Sequence, residues 1–145
     1  MIIIDRSCTS VQYCWMRLVL DTSIIMAVLF NEPPRETILS ISKGAELLSA
    51  ASLPLEVGNA VSLGFKRGKL DLPAGEEVMK SFGKMRIRLM EIDYLRAVQI
   101  SYEYNHYAYD AYMLQVAEKE RAQLCTLDRK LRSAAEQMNI KCLEI

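Results

Sequence analysis

LVLDTSIIMAVLF, residues 18–30, sets one acid, Asp21, inside an otherwise apolar stretch that opens at Met16. A carboxylate is costly to bury and normally avoids such places. The stretch divides at that acid. RLVLD (17–21) reads as a β-strand, and Thr22 to Phe30 reads as a helix that stops at the breaker Asn31-Glu32-Pro33-Pro34. A strand that ends on an acid and passes directly into a helix is the first unit of an alternating pattern, and that pattern decides the fold.

The alternation continues outward. Glu36 to Lys43 forms a second helix with Gly44 at its C-cap, and ELLSA (46–50) a second strand. Pro54 opens a helix whose Val57, Ala60, Val61, Gly64 and Phe65 make one inward stripe, closed by the basic Lys66, Arg67 and Lys69. Pro73 to Met85 is helical, with Val78, Phe82 and Met85 inward. A third strand follows over Arg86 to Ile92, and a helix over Asp93 to Tyr104. Asp110 to Arg121 is a helix and Gln123 to Leu127 a fourth strand. Asp128 to Met138 is a last helix, and Lys141 to Glu144 a short last strand. Strands alternating with helices at these lengths give an α/β architecture: a parallel sheet of about five strands covered by helices on both faces. Residues 16–145 read as one domain, without repeat or linker.

Bulk properties narrow the function classes. The chain has 145 residues, 51% hydrophobic and 25% charged, enough to bury a sizeable core. Lys plus Arg and Asp plus Glu are both 18, so the formal net charge is zero and any nucleic-acid surface must be local. The cysteines Cys8, Cys14, Cys125 and Cys142 form no CxxC pair. With a single histidine, His106, a zinc site of ordinary spacing is disfavoured. Scattered thiols in a Met-rich chain read as reduced, in a cytoplasmic setting. No apolar run approaches the roughly 18 residues a membrane span needs, and Asp5 and Arg6 break any signal-peptide core.

The acids carry the chemistry. In open parallel sheets ligands bind outside the carboxyl ends of the strands. Asp21 ends the first strand, Asp128 follows the fourth, Glu56 sits in the first turn of the helix after the second, and Asp110 starts its own helix. For any one of them alone, a helix cap or a favourable charge at a helix N-terminus is the simpler account. Together at one sheet edge they would repel one another unless a cation lay between them. Oxygen ligands of this kind suit Mg²⁺ or Mn²⁺. No Ser–His–Asp or Cys–His set competes, and His106 in NHYAYD reads as a loop or helix-end residue.

LVLDTS, LPLEVGNAVS, YDAYMLQVAE and LCTLDRKL, in that order and at this spacing, resemble the PIN-domain family, most of all its small VapC-like toxins of type II toxin–antitoxin systems. The resemblance spans residues 16–145. It implies a PIN-like three-layer sandwich and a metal-dependent ribonuclease. It assigns Asp21, Glu56, Asp110 and Asp128 as catalytic, metal-holding residues. Thr22, Ser23 and Thr126 match the family's small hydroxyl positions and would orient carboxylates or water. Asn59, three residues after Glu56, shares a helix face with it. Mg²⁺ or Mn²⁺, an RNA substrate, a cognate antitoxin and a homodimer are the implied cofactor and partners.

RNA needs positive surface near the acids. Arg129 and Lys130, beside Asp128, are the best-placed candidates, with Lys66 and Arg67 next. Lys69 extends the latter patch, Arg132 the former, and Lys80, Lys84, Arg86 and Arg88 form a third. The tyrosines of YEYNHYAYDAY (102–112) offer base stacking, against core packing or a partner surface. IIID (2–5) imitates LVLD, but no helical stripe follows Asp5, so Asp21 is preferred. Residues 1–15 depart from the family pattern and read as an N-terminal extension, either an over-extended start or a disordered segment.

Two further readings stay in view. A PIN-like module that binds RNA or protein without cutting would be expected to have lost an acid. A phospho-accepting receiver-like domain expects an acid at the end of the third strand and a lysine after a later one. RLMEID meets the first demand, and TLD stands where the lysine should be.

Overall fold

The computed structural model describes residues 16–145, so the readings of residues 1–15 and of the Asp5 decoy lie outside the described residues. Four parallel strands form one sheet in the order β3-β2-β1-β4: β1 (Met16–Leu20), β2 (Ala45–Ala50), β3 (Arg88–Met90) and β4 (Gln123–Cys125). Among the described residues seven helices connect and cover them: α1 (Thr22–Leu29), α2 (Arg35–Ser42), α3 (Leu53–Lys66), α4 (Leu72–Gly83), α5 (Tyr94–Tyr104), α6 (Ala108–Glu120) and α7 (Arg129–Gln137). The α/β parallel-sheet reading holds.

The strands are fewer, and the third and fourth are shorter, than the sequence pattern suggests. The fifth strand shrinks to one parallel bridge, Leu124 to Cys142, beyond β4. The third spans Arg88–Met90 rather than 86–92, and the fourth stops at Cys125 rather than Leu127. The last shortening has a local cause. The N–H groups of Leu127 and Asp128 donate to the hydroxyls of Ser23 and Thr126 instead of to a strand. Apolar runs alone do not reveal that diversion.

The central position of β1 follows from its composition. Leu18, Val19 and Leu20 are buried on both faces, the signature of a parallel strand between helical layers. Ile24, Ile25 and Ala27 of α1 and Met113, Leu114, Val116 and Ala117 of α6 pack into the same core. Helix ends fall where the sequence supplies caps. Asp21, Asp71, Asp93 and Asp128 each accept a backbone N–H at the start of α1, α4, α5 and α7. Gly44, at φ +75°, turns the chain from α2 into β2, a conformation that glycine adopts without a Cβ clash.

One inward reading is corrected. Phe65 is 40% exposed rather than buried in the stripe of α3. Its ring lies against α4 where Gly75 has no side chain, since a Cβ there would meet the Phe65 ring. The aromatic therefore seals the α3–α4 contact from its edge. No helix of the described residues is long and apolar enough to cross a membrane.

Candidate active site

Asp21 leaves the end of β1 at the sheet's carboxyl edge and serves as N-cap of α1. It is only 6% exposed. Its backbone N–H donates to the Cys125 carbonyl at 3.3 Å, tying it to the end of β4. Ser23 Oγ donates to Asp21 Oδ1 and Thr126 Oγ1 to Oδ2, both at 2.6 Å. Each hydroxyl in turn accepts a backbone N–H, Ser23 from Leu127 at 3.0 Å and Thr126 from Asp128 at 2.9 Å. Two hydroxyl relays thus fix both carboxylate oxygens between α1 and the loop after β4. The Ile24 N–H adds a third donor, at 3.2 Å to Oδ1.

Burial pushes the Asp21 carboxyl above its ordinary value, and the nearby Asp128 charge adds to that. The donors Ser23, Thr126 and Ile24 oppose it. Glu56, in the first turn of α3, shows the same balance. Burial raises it, the Thr22 and Ser52 hydroxyls oppose, and the charges of Asp21 and Asp110 raise it further. Thr22 Oγ1 donates to Glu56 Oε2 at 2.5 Å and Ser52 Oγ to Oε1 at 2.9 Å. Asp128 is the exposed N-cap of α7, its Oδ1 accepting from the N–H groups of Lys130 and Leu131. Asp110 lies inside the first turn of α6, half-buried, with His106 Nδ1 3.3 Å from its Oδ2.

Asp21 ends β1, Asp128 follows β4 and Glu56 opens α3 after β2, so these three lie toward the carboxyl edge of the sheet, and the Asp110 charge adds to the rise at Glu56. The cap reading applies to Asp21 and Asp128 and not to Asp110, whose helix is capped by Tyr107. They are not drawn into a closed cluster: among the described residues no group of three or more His, Cys, Asp or Glu side chains is gathered closely enough to hold a metal ion. The donor chemistry nonetheless fits a hard cation. A carboxylate accepts about four hydrogen bonds. Asp21 uses three of those positions, and Glu56 and Asp128 use two each, so every one keeps an oxygen lone pair for a ligand. Mutual repulsion among the acids favours a cation at this edge.

Thr22, Ser23 and Thr126 all contact an acid, as described. Asn59 is exposed on α3 and lines an open cleft with Thr22, Glu56, Ala60, Leu63 and Tyr109. Ser52 is the contact that sequence reasoning missed. Its spacing of four from Glu56, on adjacent turns, was the available signal. Arg129 and Lys130 are exposed beside Asp128. Lys66 and Arg67 sit at the far end of α3. Arg132 turns inward to the Thr126 carbonyl at 3.0 Å, and Arg88 pairs with Glu46 at 3.2 Å, so neither is a free cation. Cys125 adjoins the site, but burial pushes its thiol up to about 12, which leaves no thiolate nucleophile.

The PIN domain family matches residues 18–137, most of the chain. The chain belongs to the PIN domain family. Its PIN fold is similar to solved structures at low identity. A protein from Pyrobaculum aerophilum, PAE2754, is 21% identical with a TM-score of 0.66, covering 82% of this chain and 79% of that one. A toxin–antitoxin complex from Klebsiella pneumoniae gives 18% identity and a TM-score of 0.57, covering 77% of this chain and 86% of that one. VapBC2 from Rickettsia felis, bound to a DNA fragment from its promoter, gives 15% and 0.63, covering 88% and 98%. No curated protein matches the chain significantly. PIN domains are in general nucleases and typically use a divalent metal. In this PIN domain, the hydroxyl-held acid at the end of β1 stands at the edge where a parallel sheet of this kind binds ligands.

Proposed function

We propose that this protein is a VapC-like endoribonuclease, the toxin of a toxin–antitoxin pair, which hydrolyses RNA phosphodiester bonds with Mg²⁺ or Mn²⁺. The observation that carries the reading is the buried Asp21 at the end of β1 in a PIN domain, both of its oxygens held by the Ser23 and Thr126 hydroxyls. Asp21, Glu56, Asp110 and Asp128 would hold the metal. When bound, it supplies Lewis-acid polarisation of the phosphate and a water of lowered pKa.

The chain's own residues do the rest. Ser23 and Thr126 lock the Asp21 oxygens, so that ligand needs no reordering. Glu56 lies on the open cleft, its carboxylate held by the Thr22 and Ser52 hydroxyls, and one of the four acids would take a proton from the attacking water. Arg129 and Lys130 flank Asp128 and would hold RNA phosphates, with Lys66 and Arg67 farther along α3. Two exposed apolar faces are available to a cognate antitoxin and to a second copy of the chain. One is Phe65, Leu72 and Met79 on α3 and α4, the other Leu95, Val98 and Tyr102 on α5.

The test is cleavage of a labelled RNA pool by purified protein, with Mg²⁺ or Mn²⁺ and with EDTA, beside Asp21→Asn. Metal-dependent cutting that the variant loses supports the nuclease and places Asp21 at the metal. Cutting that survives in the variant means contamination or the wrong acid. A folded, metal-loaded, antitoxin-free protein that cuts none of many RNAs is a binding module.

A further inference from the structure

We propose that the cleft beside Glu56 is a nucleobase slot, in which Tyr109 and Leu63 stack an unpaired base of single-stranded RNA and Asn59 reads its edge. The proposal rests on the ribonuclease reading for the identity of its ligand and extends it from where the phosphate reacts to which nucleotide is held beside it.

The slot has two unlike walls. Along α3, Glu56, Asn59, Ala60 and Leu63 fall at i, i+3, i+4 and i+7 and so share one face of the helix. Across from them stands Tyr109, in the first turn of α6 and next in sequence to Asp110. The cleft thus grades from carboxylate and amide at Glu56 and Asn59 to apolar surface at Leu63 and Tyr109. Leu63 is 39% exposed and Tyr109 is 49% exposed, so two large apolar groups beside a polar reaction site lack cover.

The tyrosine is presented in a set orientation. Its ring packs edge-to-face on Tyr112, with centroids 5.8 Å apart and planes at 89°, and Tyr112 packs edge-to-face on Tyr94 at 5.6 Å and 88°. Such a ladder fixes the ring before a ligand arrives, which reduces the ordering cost of binding. A planar π-face with an aliphatic group opposite suits a base that has left the stack. A carboxamide offers both a donor and an acceptor to its edge. Arg67, the C-cap of α3, lies eleven positions beyond Glu56, roughly 16 Å along the axis, where it would meet a phosphate farther down the strand.

The test measures fluorescence anisotropy of labelled 12-mers of oligoadenylate, oligocytidylate and oligouridylate, and of an abasic 12-mer, in EDTA and again in Ca²⁺. RNA cleavage in Mn²⁺ is followed in parallel. Tyr109→Ala is expected to weaken the base-bearing oligomers at least about fivefold and to leave the abasic one unchanged. Tyr109→Trp, which keeps the stacking face, is expected to restore binding. Asn59→Ala is expected to level the differences among the three bases. Equal binding by wild type and Tyr109→Ala overturns the slot, as does equal loss on the abasic oligomer or failure of the wild type to bind any oligomer in either condition. Wild-type cleavage with a silent Tyr109→Ala sinks the slot and spares the nuclease. Tyr109-dependent binding without cleavage does the reverse.

Discussion

At the scale of single residues, the determinant of the site is the pair of hydroxyls on Asp21. Thr126 donates to the buried Asp21 Oδ2 and accepts from the part-buried Asp128 N–H, so Thr126→Val removes the one protein donor to Oδ2 and the acceptor of that N–H. Each unpaired buried group costs about 1–3 kcal/mol, more when one is charged. Thr126→Val is expected to lower unfolding free energy by at least about 2 kcal/mol in urea titrations, and Thr126→Ser, which keeps the hydroxyl, by less than half of that. Equal losses would mean that the methyl group, not the relay, is what matters. The contacts of Thr22, Ser23 and Thr126 with acids were anticipated only through the family resemblance, while the acids themselves stood out by their places at strand ends and helix starts. Ser52 was legible only in principle, because its partner becomes evident once Ala51 and Ser52 are seen to turn β2 into α3. The meeting of Tyr109 and Leu63 at one cleft was not legible, since it joins two helices through the fold alone.

At the scale of elements, Asp128 combines two roles that a substitution can separate. As N-cap of α7 it is replaceable by Asn, which caps about equally well, but Asn lacks the charge a cation would require. Asp128→Asn is therefore expected to stay within about 0.5 kcal/mol of wild type in stability while losing Mn²⁺ affinity in calorimetric titration. A large loss of stability with metal binding intact would reverse that division of labour. The two helices α3 and α4 offer a matched contrast in glycine. A Cβ at Gly58 meets open space inside α3, whereas at Gly75 it meets the Phe65 ring. Gly58→Ala should gain about 0.5–1 kcal/mol from helix propensity. Gly75→Ala has the same propensity gain but forces the Phe65 ring aside, so it should lose about 0.5–2 kcal/mol net, both measured by thermal or urea unfolding. The existence and order of the elements were legible from periodicity and caps. Their ends were not, wherever tertiary hydrogen bonds diverted the backbone, as at Leu127 and Asp128.

At the scale of the whole molecule, the parallel sheet imposes an electrostatic cost. It delivers acids from the ends of β1 and β4 and the start of α3 to one edge, where Asp21 and Glu56 are held above their ordinary values of 3.8 and 4.5, chiefly by burial. The sign follows from linkage. A carboxyl whose folded pKa exceeds its unfolded pKa binds more protons when folded, so its contribution is fully present below the unfolded value and is lost as pH rises through the folded one. The metal-free protein is therefore expected to lose stability as pH rises from about 4 through the raised pKa values of these two groups, then to level off. A divalent cation favours the ionised carboxylates and binds only the folded state, so it should reverse that loss. The gain is about 2.7 kcal/mol at a hundredfold excess over Kd. Thermal unfolding in EDTA and in Mn²⁺ across this pH range checks the linkage: the Mn²⁺ increment should be several degrees at neutral pH and vanish toward pH 4, where protons displace the ion. Asp21→Asn should flatten both the metal-free pH slope and the increment. An increment that persists unchanged in Asp21→Asn would show that the ion binds elsewhere, and that the acids at this edge are held together by the fold without a cation.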